Sequence, residues 1–257
     1  MNLLWSMPIP CENPWEPQFN GFFTRHNGGP LFFYQDEGVC AASRVEGRPH
    51  MQRIPQVSGI SLPQNWRLRE DLTPPLLLLT EQFAIDLREL KVIRHAHPLE
   101  KKSAYPEWQL GDCRIRYDAE HLLTCMKNGT EVWNFRMRAY LYTSVRQWQN
   151  LITFGTAGHG GYLYILRLET GEVVAAIKTG GTVHIAQEEG FCYVLANTLG
   201  ARLLKVDLHT GSIAEEVPLP GKAQYSSLRL MDGEIHAITY TYKNGRLMQA
   251  VWSCVAI

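Results

Sequence analysis

Several features are missing from this sequence, and each absence removes a class of protein. The longest apolar run, "PPLLLL" at Pro74–Leu79, falls far short of the roughly 20 residues that a membrane-spanning helix needs. No sign of charge prevails: 25 Lys+Arg stand against 25 Asp+Glu. A chain so balanced has no broad electrostatic footprint for nucleic acid or an anionic membrane, although a local basic patch survives a zero sum. There is no Gly-x-Ser-x-Gly elbow, no His-Glu-x-x-His pair and no EF-hand loop. The six cysteines, Cys11, Cys40, Cys113, Cys125, Cys192 and Cys254, contain no Cys-x-x-Cys spacing. Several lie in apolar runs such as "FCYVLA", so they read as buried thiols of a reducing compartment. The N-terminal "MNLLWSMPIP" lacks a basic stretch and does not read as a signal peptide. A cytoplasmic protein without cofactor or metal is the expectation.

What is present is a repeat. "GYLYILRLETGEVVAAIKTGG" (161–181) returns forty residues later as "ARLLKVDLHTGSIAEEVPLPG" (201–221). Leu163, Leu168, Thr170 and Gly171 of the first match Leu203, Leu208, Thr210 and Gly211 of the second. Each copy alternates apolar and polar residues, breaks at Thr-Gly, then alternates again. That is a strand, a tight turn needing positive φ, and a second strand.

The unit extends outward with weaker likeness. The first strand of each hairpin is placed at Val39, Phe83, Leu122, Tyr162, Arg202 and Arg246. Upstream of each lies a short apolar run: "PLFFYQ", "PLLLLT", "CRIRY", "LITFG", "FCYVLA" and "EIHAITY". Six units at a period near 40 residues suit four short strands each, the spacing of a β-propeller of six four-stranded blades. The expectation is one all-β domain over residues 1–257. "EQFAIDLRELKVIRHA" fits a helical period nearly as well, but the repeat requires a strand pair there. The sixth unit ends without a fourth strand. "NLLWSMPI" is a spare apolar strand, and we expect it to close the last blade and cover its open edge.

Gly161, Leu163, Tyr164, Leu168, Thr170 and Gly171, with Leu203, Asp207, Thr210 and Gly211, resemble the repeat of PQQ-like propellers, the quinoprotein alcohol dehydrogenase superfamily. The match spans roughly residues 150 to 221. The resemblance implies the fold; function does not travel with it. Those enzymes are longer and place vicinal cysteines beside the quinone, and this chain has no Cys-Cys pair. Quinone binding is therefore not expected. Most repeats of this type outside the enzymes, like WD-type repeats, sit in scaffold or interaction proteins.

Two motifs carry residue types that chemistry uses. "FGTAGHGGY" (154–162), centred on His159, is Gly-rich, yet it lacks a P-loop lysine and leads into a strand. A turn between strands explains it better than a phosphate cradle. His95 and His97 share one strand face, with no third ligand evident.

Aromatics and arginines are the better lead. Trp15 and Trp66 sit in Pro-rich connections, and Arg67 and Arg69 follow Trp66 in the longest stretch between clear strands. Trp and Arg are enriched at interface hot spots, and loops on rigid scaffolds carry binding. The propeller face formed by the second-to-third and fourth-to-next-blade connections gathers His159, Arg138, Tyr140, Tyr142, Lys222 and Tyr225. The rigid repeat, the lack of a catalytic signature, the neutral charge and the loops that carry Pro, Trp and Arg point to a non-catalytic scaffold that binds another protein, as a monomer or weak oligomer, and the residues of this face join Trp15, Trp66, Arg67 and Arg69 as candidates for that contact. One form of that role is occlusion of a partner enzyme, in the manner of an immunity protein or inhibitor. The alternative is a small-molecule binder or a hydrolase- or lyase-type enzyme with its site at the mouth of the central channel.

Overall fold

The computed structural model describes residues 1–10, 22–26, 29–35, 39–45, 48–53, 67–69, 71–98, 105–118, 121–157, 160–180, 184–244 and 246–257. These residues form 24 strands and no helix, hence no helix long and apolar enough to cross a membrane. The strands make six antiparallel sheets of four. The order within each is that of a propeller blade.

The chain opens with β1 (Asn2–Pro10). The first sheet follows: β2 (Phe22–His26), β3 (Gly29–Gln35), β4 (Val39–Val45) and β5 (Arg48–Arg53). The second is β6 (Arg67–Arg69), β7 (Leu76–Leu78), β8 (Phe83–Asp86) and β9 (Lys91–Arg94). The third is β10 (Glu107–Leu110), β11 (Cys113–Tyr117), β12 (Leu122–Lys127) and β13 (Thr130–Arg136). The fourth is β14 (Arg146–Trp148), β15 (Leu151–Gly155), β16 (Tyr162–Arg167) and β17 (Val173–Lys178). The fifth is β18 (His184–Glu188), β19 (Phe191–Ala196), β20 (Arg202–Asp207) and β21 (Ser212–Pro218). The sixth is β22 (Lys222–Met231), β23 (Glu234–Lys243) and β24 (Arg246–Ala256), completed by β1.

Every hairpin strand expected from the repeat begins at the residue named for it. The pair at residues 81–96 is indeed two strands, turned by Asp86, whose carboxylate accepts from the N–H groups of Arg88 and Glu89 at 2.8 and 3.1 Å. The N-terminal strand lies where the open edge required it. It pairs with β24 from Asn2↔Ala256 to Pro10↔Gln249, and the Trp5 ring meets Trp252 edge-on at 5.0 Å. One expectation needs correction. The stretch after Val45 is not one irregular loop: β5 and β6 lie inside it, so Arg67 and Arg69 are strand residues. The physical reason is that β4 and β7 carry ladder groups that need partners, and these two strands supply them.

Contacts divide the chain into two units, Met1–Pro10 with Ser103–Ile257, and Cys11–Lys102. Within the second unit, Leu76, Leu78 and Ala84 form a small core with Leu72 and Ile93 packed against it. Within the first unit, successive sheets pack face to face. Ile115, Leu123 and Trp133 of the third meet Ile152, Phe154 and Leu166 of the fourth. Leu163 and Ile165 meet Val194 and Leu204 of the fifth. Tyr193 and Leu195 meet Ile235 and Val255 of the sixth. Inner strands buried on both faces read as continuous apolar runs, and "FCYVLA" is buried at every position except its first. Outer strands such as "SIAEEVP" are mostly exposed.

The third-to-fourth-strand turns explain the Thr-Gly signature. Gly171 and Gly211 have φ of 71° and 67°, and each N–H donates to the carbonyl four residues back at 2.9 Å. Neither has room for a side chain. A Cβ would stand 2.7 Å from the Trp133 ring at Gly171, and 2.7 Å from Ala175 Cβ at Gly211. Trp133 also donates from Nε1 to the Leu168 carbonyl at 2.7 Å, tying the third sheet to the turn of the fourth.

Candidate functional site

The two ends of the sheets in the first unit differ. The lower end carries the tight hairpin turns. Its charges are mostly acidic, including Asp112, Glu169, Glu189, Asp207 and Asp232, with Lys127 ion-paired to Asp112 at 2.6 Å. The upper end carries the second-to-third-strand connections and the links to the next sheet. There Arg136, Arg138, Lys178, Arg202, Lys222 and Lys243 gather. Two carboxylates at this end are paired: Glu107 with Arg114 at 3.8 Å and Glu216 with Arg202 at 2.7 Å. The balanced net charge thus conceals a division between ends.

The link from β13 to β14 is the best-defined part of the upper end. Met137, Ala139 and Val145 are buried and anchor it, while Arg138, Tyr140 and Tyr142 alternate outward. Its backbone is held by the neighbouring sheet. Tyr142 N–H donates to the Gly155 carbonyl at 2.9 Å, and Ala157 N–H donates to the Tyr140 carbonyl at 3.0 Å. Thr143 Oγ1 accepts from Gly155 N–H at 2.8 Å. On this pinned link Tyr140 is 66% exposed and Tyr142 48%. The Tyr140 ring lies 4.2 Å from that of His121, and Tyr142 meets His184 edge-on at 5.4 Å. Burial pulls His184 down to about 4, so it is neutral at physiological pH, and its Nε2 has no hydrogen-bond partner among the described residues. Leu199, 82% exposed, projects from the link between β19 and β20 at the same end.

Beside the link a cleft of about 350 Å3 opens, lined by Phe135, Arg136, Arg138, Tyr162, Tyr164, Val173 and Ala176. Its floor is an aromatic array: Phe135 meets Tyr164 edge-on at 5.1 Å, and Tyr164 stacks on Phe154 at 5.4 Å. Burial raises the Tyr164 phenol above its ordinary value, opposed by the Arg138 charge and by a hydrogen bond from the Arg138 backbone. The Arg138 guanidinium makes no ion pair or side-chain hydrogen bond among the described residues. The lining contains no carboxylate.

A second polar cluster lies in the sixth sheet. Glu234, His236 and Cys254 bring donor atoms within 4.8 Å of one another, because Glu234 and His236 share a strand face and Cys254 is directly opposite His236. Trp252 donates from Nε1 to His236 Nδ1 at 3.2 Å, which leaves the imidazole proton on Nε2, 3.5 Å from the Glu234 carboxylate. The Cys254 thiol donates to the same carboxylate at 3.4 Å. A metal on Nε2 would move that proton to Nδ1 and set it against the indole N–H. The arrangement therefore suits a buried hydrogen-bonded network better than a metal centre.

Of the residues singled out from sequence, Arg138, Tyr140 and Tyr142 come together here. Arg69 is instead engaged bidentately by Asp71, at 2.7 Å for both bonds. Arg67 and Tyr225 lie on β6 and β22, with side chains not described. Trp15, Trp66 and His159 lie outside the described residues. His95 and His97 stack ring on ring at 5.9 Å, and His95 Nε2 is bonded to the Thr80 carbonyl. Sequence reasoning missed Phe135, Arg136, Tyr162 and Tyr164. Tyr162 and Tyr164 are two apart and so share one strand face, which was a usable signal. That Phe135 faces them is known only once the third and fourth sheets are stacked.

No known family model matches the chain, and no curated protein matches it. Among solved structures it is similar to the computationally designed Ika8 protein, with 10% identity, 90% of this chain and 70% of that one covered, and a TM-score of 0.43. It is similar to the WD40 β-propeller domain of Doa1, with 13% identity, 100% and 86% covered, and a TM-score of 0.40. A third likeness is to BBS1N, solved in complex with ARL6DN, with 12% identity, 100% and 96% covered, and a TM-score of 0.39.

Proposed function

We propose that this chain is a non-catalytic, single-domain propeller scaffold that binds another protein through its upper end. The carrying observation is the pinned link at 137–145, which holds Arg138, Tyr140 and Tyr142 outward while Met137, Ala139 and Val145 fill the core. Large exposed aromatics beside a guanidinium with no ion pair among the described residues are the chemistry of interface hot spots. Leu199 extends the apolar surface at the same end. A backbone held rigid before binding lowers the entropic cost of association. Membership of the PQQ-like repeat group is supported by the Thr-Gly turns, and a reducing, cytoplasmic setting by the buried free thiols of Cys113, Cys125, Cys192 and Cys254 among the described residues. Occlusion of a partner enzyme, as an inhibitor or immunity protein achieves it, is the form of binding we favour.

The test is capture from native lysate by the full chain and by Tyr140→Ala and Leu199→Ser, with native mass spectrometry of the purified chain beside it. The expected result is one specific protein retained by the parent and lost by the variants. A tightly held metabolite with no protein partner would overturn the proposal in favour of a small-molecule site.

A further inference from the structure

We infer that the cleft between the third and fourth sheets recognises an acidic segment of the partner, taking one aromatic side chain into the cleft and a flanking carboxylate onto Arg138. This rests on the protein-binding reading above and goes further, because it names the chemistry of what is bound.

Phe135, Tyr162, Tyr164, Val173 and Ala176 offer apolar and aromatic surface, and about 350 Å3 accommodates one large side chain. The Phe135 and Tyr164 rings meet edge-on, so an entering ring packs edge-to-face against them and does not stack flat. Charge decides what stands next to that side chain. Arg136 and Arg138 line the cleft, Lys178 is the ladder partner of Tyr162 on the same strand face, and the lining holds no carboxylate. Arg138 has no anion among the described residues, and guanidinium geometry favours bidentate contact with a carboxylate.

An anion that is also apolar satisfies both features at once. A bare polyanion uses the charges and leaves the apolar walls unused. Single-stranded nucleic acid reads as the weaker occupant, because it needs open ring faces on which bases stack. Here Tyr164 is itself stacked against Phe154 at 5.4 Å and is only 6% exposed.

The experiment uses fluorescein-labelled peptides and the full chain, read by anisotropy. The probes are Gly-Ser-Asp-Phe-Glu-Gly-Ser, the same peptide with Ser for Phe, the same with Lys for both acids, and an eight-residue oligouridine. The acidic Phe peptide should bind at least roughly tenfold more tightly than either control peptide, about the discrimination that one buried contact supplies. Arg138→Ala should lower its affinity by about the same factor, with partial rescue in Arg138→Lys. Ala176→Leu, which fills the cleft from an exposed position, should abolish binding while circular dichroism and melting stay unchanged. Equal binding of the three peptides, or full binding to both Arg138→Ala and Ala176→Leu, would overturn the inference. So would tighter binding of the oligouridine with a steep loss in salt. If the lysate partner stays on a chain with both cleft substitutions but leaves Tyr140→Ala, the scaffold reading stands and the cleft inference falls.

Discussion

The turn at Leu208–Gly211 and the link at Met137–Val145 are both short, both ordered by hydrogen bonds, and opposite in purpose. In the turn every polar group works for the fold. Asp207 accepts from the N–H groups of His209 and Thr210 at 2.8 and 3.1 Å, Gly211 supplies positive φ, and its missing side chain lets Ala175 approach. The turn at Leu168–Gly171 shares the positive φ and the missing side chain, here against Trp133, with Arg167 in the place of Asp207. In the link the backbone is equally well held, yet three large side chains face water. Groups that serve folding are buried or bonded. Groups left over on a rigid support are where binding is to be sought.

Deleting residues 1–10 removes a whole ladder from β24 and exposes its edge, with Trp252 beneath the lost Trp5. Calorimetry should show a melting temperature lower by roughly 10 °C, the scale of a few kcal/mol in a chain of this size, together with concentration-dependent association. A truncated chain that melts like the parent and stays monomeric would mean that β1 closes nothing.

Gly211→Val comes next. It combines β-branched strain at positive φ with a clash, and should cost about 3 kcal/mol in urea unfolding. Gly129→Ala separates the two causes. Its φ is 79° but nothing lies within 4 Å of a Cβ, so strain alone should cost about 1 kcal/mol. Equal losses would show that packing against the neighbouring sheet is irrelevant at Gly211.

Acid should weaken the upper end through His184. Its folded-state value, about 4, is below the unfolded 6.5, so the unfolded chain binds the extra proton. Stability is therefore complete above pH 6.5 and declines as pH falls toward 4, by up to ~3 kcal/mol if the ring stays fully dry. His184→Gln should flatten that part of the pH profile, and an unchanged profile would remove His184 as its source. The smallest effect is expected at the surface itself: Arg138→Ala, Tyr140→Ala and Leu199→Ser should each change stability by less than about 0.5 kcal/mol while reducing binding. A large loss of stability would move these residues from the binding surface to the fold.

Cysteine reactivity sharpens the same contrast. Burial pushes Cys125 and Cys192 up to about 12, so neither presents a thiolate at neutral pH. Aromatic disulfide reagents should modify them only on unfolding, and rapid reaction in the native state would contradict that burial.

Much of the fold was legible along the chain, because a blade is a local object. Four strands close in sequence are joined by short turns, and turn chemistry with period-two alternation is written in consecutive residues. Thr170-Gly171 and Thr210-Gly211 therefore placed two hairpins, and the repeat period carried the placement to Val39, Phe83, Leu122 and Arg246. Even the long-range pairing of β1 was inferable, since an apolar open edge at "AVWSCVAI" and a spare strand at "NLLWSMPI" each required the other. The count of four strands per unit called for β5 and β6, but their residues read as an inserted loop because they are polar and carry little alternation; their partners make them strands. The cleft was hidden for a different reason. Phe135, Arg138 and Tyr164 lie on separate strands and links, and only the stacking of the third sheet on the fourth brings them to one place. Local hydrogen bonding and hydrophobic alternation determined the blades, whereas packing between sheets decided which aromatic rings and which guanidinium share a surface.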